Sequence, residues 1–323
     1  MPGEVFLLKE AIRTNTDEAR ALVDQGVQQL VEDPEAWRQW ARTLARFPTY
    51  SPGNALLIML QRPDATYVAG YNAWKQMGRQ VQKGEKGITI LAPVKYRAPD
   101  EEAEREEGVE SPKPAPRHVV GFKAATVFAY EQTQGAPLQV PKAIPLTSDT
   151  MAELLSHLMG VPRVPVLFGD TGRAYGVWSP ATQQITLRAD AAPDQHLKTL
   201  LHEWSHSLGI TTVEQARERH VGQEEVTAET TAYVLADALG LDTKGYSQGY
   251  VAGWADNDPK NITRVQQEVG RRVHAMVNQI ELAAETDPEL KSIADRLRGP
   301  KPGVTAAKAS RPRERALDDE LAL

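Results

Sequence analysis

Apolar residues return every three or four positions over residues 4–47, the spacing that places them on one face of an α-helix. Asp33 and Pro34 interrupt this stretch as an N-cap followed by the first residue of a new helix, so a pair of helices is predicted. Asn54–Leu60 and Tyr71–Met77 predict two further, shorter helices. The first part of the chain is therefore expected to be mainly helical.

Strands are expected where apolar residues alternate or run together between turn residues. Ile88–Val94 and His118–Tyr130 predict a pair of partner strands, and the acidic, proline-rich residues 99–116 between them predict a disordered insertion. Three shorter strands are predicted later, at Val164–Phe168, Ala174–Trp178 and Gln184–Arg188. The last of these could hold an extended peptide by strand addition, provided that it does not lie in the centre of its sheet.

A proline-rich segment divides the chain. Residues 136–146 contain three prolines and predict an extended linker between two domains, residues 1–135 and residues 147–298. Both domains mix helices with strands, and the second ends in a long amphipathic helix over residues 261–285, so the fold class is α+β. Residues 299–323 are polar and low in aromatic side chains, which predicts a disordered tail.

Composition excludes several kinds of protein. The 323 residues include no cysteine, so disulfides, thiolate metal sites and cysteine nucleophiles are excluded. No apolar run of about 18 residues is present, so no membrane span is expected. The first residues lack a basic segment followed by a long apolar core, so no secretory signal is expected and a cytoplasmic location is predicted.

The segment Leu200–Gly209 carries the most specific chemistry. Within it, His202, Glu203 and His206 form an H-E-x-x-H pattern. Residues four apart share one face of a helix, so both imidazoles can reach a single ion, while Glu203 lies beside the ion as the candidate general base for a water on zinc. The alternative is a buried helix whose histidines make ordinary hydrogen bonds in the core.

A second helix, predicted over residues 224–241, offers a third ligand. Glu225 and Glu229 lie one turn apart, so one can bind the ion while the other orients a ligating imidazole from behind. Glu224 is expected to lie on a solvated face. Thr212 stands where the longer H-E-x-x-H-x-x-G-x-x-H pattern needs its last histidine, which favours a glutamate as the third ligand.

Positive charge is concentrated near the first strands. Residues 42–97 contain nine basic and two acidic side chains, although the whole chain has a net charge of −6. Cations for phosphate and flat rings for base stacking are what single-stranded nucleic acid needs. Candidate contacts are Arg62, Tyr67, Tyr71, Trp74, Arg79, Lys83 and Lys86. The alternative is a solvated basic surface over a core that contains Trp74.

Two groups of sequence motifs indicate one protein family. SPGNALLIMLQ, PDATYVAGYNAWKQMGRQVQKGEKGI, ILAPV and VFAYEQTQGAPL closely resemble the N-terminal domain of ArdC-type antirestriction proteins. LLHEWSHSLG and EEVTAE resemble the zincin-like metallopeptidase domain of the same family. The chain departs from the family in VFAY, where an acidic residue often follows VF, and in its acidic insertion.

The resemblance implies single-stranded DNA binding by residues 1–135 and a glutamate-zincin metallopeptidase fold over residues 147–298. Related glutamate-zincins place their ligand in E-x-x-A-D/E, which here makes Glu225 the ligand and Glu229 its partner behind the histidines.

Together these observations support one hypothesis and two alternatives. The hypothesis is a cytoplasmic protein that binds single-stranded DNA and cleaves a protein or peptide substrate. His202, His206 and Glu225 would hold Zn²⁺, Glu203 would activate water, and Tyr233 or Tyr175 would steady the oxyanion. The first alternative is a DNA-protecting protein with a structural or vestigial metal site. The second is a regulatory peptidase that cuts one repressor.

Overall fold

The computed structural model describes residues 2–96, 118–138, 148–218, 221–241, 243 and 258–298. The predicted insertion at 99–116, most of the predicted linker at 136–146 and the predicted tail at 299–323 lie outside the described residues. Among the helices that the structure describes, none is long and apolar enough to cross a membrane.

Three helices open the chain: α1 (Pro2–Glu32), α2 (Pro34–Arg46) and α3 (Pro52–Gln61). Asp33 caps α2, because its carboxylate accepts a hydrogen bond of 2.8 Å from the Glu35 backbone N–H. Ser51 caps α3 in the same way through the N–H of Asn54. The predicted pair of helices, its break at Asp33 and the short helix that follows are therefore confirmed.

Short strands and one helix complete the N-terminal part: β1 (Val68–Ala69), α4 (Tyr71–Gln76), β2 (Arg79–Val81), β3 (Ile88–Tyr96), β4 (His118–Ala129) and β5 (Thr133–Gly135). β3 and β4 pair antiparallel from Ile88 opposite Val127 onwards, so the predicted partner strands are confirmed. β4 lies between β1 and β3, and β2 pairs separately with β5. Gly78 follows α4 at a φ of 74°, a left-handed conformation that glycine adopts without strain.

Side chains of α3 cover the outer edge of β3. The amide of Asn54 bonds both the N–H (2.8 Å) and the carbonyl (2.9 Å) of Leu91. The amide of Gln61 makes the same two contacts with Thr89, each at 2.9 Å. An uncovered edge strand leaves a row of unpaired backbone groups, so the two amides satisfy an edge that would otherwise need water or another strand.

The second half of the chain contains α5 (Ser148–Leu158), β6 (Val166–Gly169), β7 (Gly176–Ser179), β8 (Gln184–Arg188), α6 (Pro193–Gly209), α7 (Val213–Glu218), α8 (Val221–Leu239), α9 (Pro259–Ala283) and α10 (Pro288–Arg298). The three predicted strands are present, in the order β6, β8, β7. β8 lies in the centre, so the prediction that Gln184–Arg188 could accept a peptide strand was wrong. β7, at the sheet edge beside α6, has that possibility instead.

Two details at the ends of α6 differ from what its sequence suggests, which is Asp194 as the N-cap and Gly209 as the glycine that stops the helix. Ala192 occupies the N-cap position without a side-chain hydrogen bond, so Asp194 is not the cap. Gly209 is the last helical residue and has no left-handed φ, in contrast to Gly240, which ends α8 at a φ of 81°. A glycine therefore stops α8, as its sequence also suggests, and the role of Gly209 lies elsewhere.

One hydrophobic cluster joins helices from both ends of the chain. Trp37, Trp40 and Leu44 of α2 belong to the same buried cluster as Trp204 of α6 and Val234 of α8. A smaller cluster lies between α3 and the N-terminal sheet. The larger core contains side chains from residues 1–135 and from residues 147–298. The division into two domains at these bounds therefore stays a prediction.

Candidate metal centre and nucleic-acid surface

Three potential ligands converge between α6 and α8. The Nε2 atoms of His202 and His206 lie 3.0 Å apart, one turn from each other on α6. The carboxylate of Glu225, on α8, lies 3.5 Å from Nε2 of His202 and 3.6 Å from Nε2 of His206. In the part of the chain that the structure describes, these three residues form the one cluster of donor atoms close enough to share a metal ion.

The spacing of these atoms fits a small divalent cation. Ion–ligand distances of about 2.0–2.1 Å separate two ligands of a tetrahedral ion by roughly 3.3 Å. The observed separations of 3.0, 3.5 and 3.6 Å lie close to that value. Two imidazoles and one carboxylate also leave a fourth position for water, as a catalytic site requires.

Each histidine is held from behind by a different glutamate. Nδ1 of His202 lies 3.2 Å from the carboxylate of Glu229, which places this residue where the sequence predicts a supporting partner. Nδ1 of His206 lies 2.9 Å from the carboxylate of Glu224. The expectation of a solvated Glu224 was wrong, because its side chain is 12% exposed and faces the protein interior.

Arg272, from the distant helix α9, completes this arrangement. Its two terminal nitrogens donate to the two carboxylate oxygens of Glu224 at 2.8 and 2.7 Å. The residue is 1% exposed, and its Nε donates to Glu268 at 3.0 Å. A paired guanidinium of this kind is compatible with burial because all its charge is matched at close range.

Hydrogen bonds between the histidines and the glutamates shift the pKa values of both. Burial alone would lower the pKa of His202, but hydrogen bonds to Glu225 and Glu229 outweigh it and raise that pKa to about 10. Burial also lowers the pKa of His206, but the hydrogen bond to Glu224 raises it, and the net shift is upward. Hydrogen bonds from both histidines lower the pKa of Glu225. Ligand histidines bind metal in the neutral form, so a cation entering this cluster would displace protons.

Glu203 lies beside the ligand atoms at the base of a cleft. Its Oε2 accepts a hydrogen bond of 2.8 Å from the backbone N–H of Trp178 in β7. Gly176, two residues earlier, has no room for a side chain, because a Cβ there would lie 2.4 Å from Thr199 and 3.2 Å from Glu203. The close approach of β7 to α6 therefore fixes the carboxylate in place.

The cleft has a volume of about 310 Å³ and is lined by Ala174, Tyr175, Gly176, Gln195, Lys198, Thr199, His202, Glu203 and Glu229. Tyr175 is half exposed at its wall and could contact a substrate. Tyr233 is buried, with its hydroxyl 3.3 Å from Nε of Arg42, so it is not available as the oxyanion donor that the sequence suggested.

Comparison with known families identifies the N-terminal part. Residues 11–128 match the model of the N-terminal domain of the anti-restriction factor ArdC. Residues 11–128 form an ArdC-type N-terminal domain. The resemblance of the N-terminal sequence motifs is thereby confirmed, whereas the resemblance of LLHEWSHSLG and EEVTAE to a metallopeptidase domain stays a prediction.

Two curated relatives align over most of the chain. An uncharacterised protein of Bacillus anthracis is 26% identical over 314 residues, which cover 84% of this chain and 53% of the relative. The DNA primase TraC of Escherichia coli is 27% identical over 252 residues, which cover 71% of this chain and 17% of the primase. The chain thus spans about half the length of the first relative and a small part of the second.

A solved ArdC structure has a similar overall fold. The metal-free crystal structure of the antirestriction ArdC protein from plasmid R388 covers 82% of this chain and 99% of its own length, with a TM-score of 0.51 and 19% identity. A Mn(II)-bound structure of the same protein covers 77% of this chain, with a TM-score of 0.44 and 20% identity.

Two of the predicted DNA contacts in this ArdC-type domain are structural. Trp74 is fully buried and donates from Nε1 to the Phe128 carbonyl at 2.9 Å, so its ring offers no face to a base. Arg79 is buried beneath the ring of Tyr130 and donates to Thr133, Gly135 and Ala136. The prediction that these two side chains contact DNA does not fit such burial.

The remaining candidates differ in accessibility. Tyr71 is 51% exposed, and Lys83 and Lys86 are exposed. Arg62 is partly covered and lies 3.0 Å from the carboxylate of Asp64. Tyr67 is half buried, edge-on to Trp74. Phe122, on β4, is a further exposed aromatic residue that the sequence predicted only as part of a strand.

Proposed function

We propose that this ArdC-type protein is a metal-dependent peptidase of the glutamate-zincin kind, carried behind a domain that binds single-stranded DNA. The convergence of His202, His206 and Glu225 at tetrahedral spacing, with Glu203 alongside, carries the peptidase half of the proposal. Zinc is the proposed ion because two imidazoles and a carboxylate form a typical catalytic zinc set. Mn²⁺ is a less strongly bound alternative for the same atoms.

The chemistry follows from where the side chains lie. A divalent ion bound by these ligands would lower the pKa of a water molecule and polarise a substrate carbonyl. Glu203 would take the proton from that water and later deliver it to the leaving amine. The Trp178 N–H engages one carboxylate oxygen of Glu203, which leaves the other oxygen to move the proton.

The edge of β7 supports a peptide as the substrate. β7 pairs with β8 on one side only, and on its other edge the Trp178 N–H binds Glu203, so an extended segment could pair there with the part of β7 before Trp178. Gly176 of β7 and the neighbouring Tyr175 line the cleft beside Glu203. A peptide lying along this edge would bring its backbone carbonyls past the ligand cluster.

A Glu203→Gln variant tests the peptidase proposal. The variant should keep the metal content of the wild type, because Glu203 is not a ligand, and should lose at least a hundredfold in cleavage of denatured casein. Elemental analysis and a proteolysis time course measure the two effects, with Glu214→Gln on the exposed helix α7 as the control. Retained cleavage by Glu203→Gln would disprove the mechanism, and zinc without any cleavage by the wild type would favour a non-catalytic metal site.

The DNA-binding half of the proposal rests on the match to the ArdC N-terminal domain and on the exposed cations. Lys83 and Lys86 flank a turn that carries no buried side chain, and Tyr71 offers an accessible ring on α4. Lysine ammonium groups neutralise phosphates, and an exposed ring can stack on an unpaired base. These three side chains are the proposed contacts that the structure leaves accessible.

A further inference from the structure

Behind His206 lies a pair of side chains, Glu224 and Arg272, that the proposed chemistry does not use directly. We infer that Arg272 positions Glu224, that Glu224 in turn fixes the ring of His206 for the ion, and that residue 209 is glycine because Arg272 occupies the space a side chain would need. The inference rests on the proposed metal centre and adds the residues that shape it.

The ring of His206 has one orientation that serves an ion. With Nδ1 directed at the Glu224 carboxylate, 2.9 Å away, Nε2 faces His202 and Glu225. A hydrogen bond at one ring nitrogen determines which tautomer the ring adopts and leaves the other nitrogen to bind the ion. His206 is buried, so water cannot readily replace Glu224 in this role.

Glu224 is itself fixed by a two-pronged contact. Oε1 receives hydrogen bonds from both His206 and Arg272, and Oε2 receives a second one from Arg272. The planar guanidinium matches both oxygens at once, which an ammonium group cannot do. Replacing arginine by lysine at position 272 would therefore keep the charge but release the orientation of the carboxylate.

Arg272 is oriented by contacts that do not involve the ligands. Nε donates to Glu268 one turn earlier on α9, and one terminal nitrogen lies 3.3 Å from the hydroxyl of Ser205 on α6. The guanidinium thereby connects α6, α8 and α9 directly behind His206.

Gly209 is the second, independent sign of this arrangement. Its backbone φ is ordinary, so the conformation does not require glycine. A Cβ at this position would lie 1.9 Å from a terminal nitrogen of Arg272 and 2.4 Å from its Cζ. The guanidinium cannot give way without losing Glu224, so even an alanine at position 209 should disturb the ring of His206.

A matched control lies on the same helix as Arg272, about two turns earlier. Arg264 is exposed on α9. Among the contacts of the described residues, none joins it to Arg272 or to the two carboxylates, Glu224 and Glu268, that Arg272 binds. The substitution Arg264→Lys therefore makes the same chemical change without altering the positioning pair.

The experiment measures metal binding by the full chain. Zn²⁺ affinity is determined by competition with a chelating dye, and the visible spectrum of the Co²⁺-loaded protein reports ligand geometry. We expect Arg272→Lys, Glu224→Gln and Gly209→Ala each to weaken Zn²⁺ binding by about ten- to a hundredfold and to alter the Co²⁺ spectrum. Arg264→Lys should change affinity by less than about twofold. The double variant of Glu224→Gln and Arg272→Lys should lose little more than either single one.

Thermal unfolding of each metal-free variant separates positioning from folding. A folded Arg272→Lys or Gly209→Ala protein with wild-type affinity and spectrum would overturn the inference while leaving the metal centre in place. If one variant does not fold, the Zn²⁺ affinities and Co²⁺ spectra of the other variants test the inference. A wild type that binds neither ion would overturn the metal centre and the inference together, whereas a wild type that binds zinc without cleaving peptides would overturn only the peptidase half of the proposed function.

Discussion

Glu224 and Glu225 are adjacent in the chain, yet they contact different groups. Successive residues of a helix point about 100° apart. Glu225 thereby faces the space between the two histidines, whereas Glu224 reaches Nδ1 of His206 and the guanidinium of Arg272. Two identical side chains thus receive the roles of ligand and support from their position on the helix alone.

This division predicts different effects on metal content. Glu225→Ala removes one of three ligands, so the purified protein should lose stoichiometric zinc during gel filtration in chelator-free buffer. Glu229→Gln removes only a contact behind His202, so zinc should be retained with an affinity weaker by about tenfold. Elemental analysis measures the zinc content, and competition with a chelating dye measures the zinc affinity. A Glu225→Ala protein that keeps its full zinc content would show that the ligand is another residue.

The nucleic-acid surface gives a second prediction at this scale. Lys83→Glu combined with Lys86→Glu should weaken binding of single-stranded DNA and flatten its dependence on salt. Loss of two phosphate contacts lowers the slope of log K against log salt by about 1.4. A fluorescence anisotropy titration at several salt concentrations measures this.

The control for that experiment places the same charge change elsewhere. Arg217 and Lys291 are exposed on α7 and α10, outside the ArdC-type domain. Substituting both by glutamate should leave the slope unchanged. An unchanged slope in the Lys83 and Lys86 variant would place the DNA contact at other residues.

Some residues of the candidate site follow from spacing along the chain, and others do not. His202 and His206 follow from a four-residue spacing that any helix converts into proximity. The support from Arg272 could not be predicted, because that residue stands 48 positions after Glu224 and only tertiary packing brings them together. Trp74 and Arg79 have the residue types of a DNA surface, and only their burial shows that they hold the domain together.

At the scale of elements, a periodic pattern of apolar residues predicts helices and most strands, whereas the three-residue strands β2 and β5 have no such pattern. The helices α1 to α3 and the strands β3, β4 and β6 to β8 follow from their spacing of apolar residues. β2 and β5 contain three residues each and have no periodicity of their own. They form because Arg79 and its partners around Thr133 hold the two segments together.

The amides that join α3 to β3 give an element-scale prediction. Asn54→Ala or Gln61→Ala would leave two backbone groups of β3 without partners at a covered edge. Each loss should lower the free energy of unfolding by about 1–3 kcal/mol. Urea unfolding monitored by circular dichroism measures the effect, and Asn72→Ala, at an exposed position of α4, is the control. A change below about 0.5 kcal/mol in both amide variants would mean that water replaces the amides.

At the scale of the whole molecule, the N-terminal helices and the helices of the proposed metal centre share one core. α2 packs against α8, the helix that carries Glu225. Nε of Arg42 contacts the hydroxyl of Tyr233 at 3.3 Å, and His274 of α9 contacts the carbonyl of Tyr50 at 3.1 Å. The ArdC-type domain therefore packs directly against the helix that carries the proposed ligand Glu225.

The shared core predicts that the N-terminal part does not fold independently. A fragment of residues 1–138 would expose the face of α2 that packs on α8, including large side chains worth about 1.5–3 kcal/mol each when buried. That loss is comparable with the total stability of a domain, about 5–15 kcal/mol. Intrinsic tryptophan fluorescence and thermal circular dichroism should show red-shifted emission and a broad transition for the fragment, against one cooperative transition for the full chain. A fragment that melts sharply with blue emission would instead establish two independent domains joined at residues 136–146.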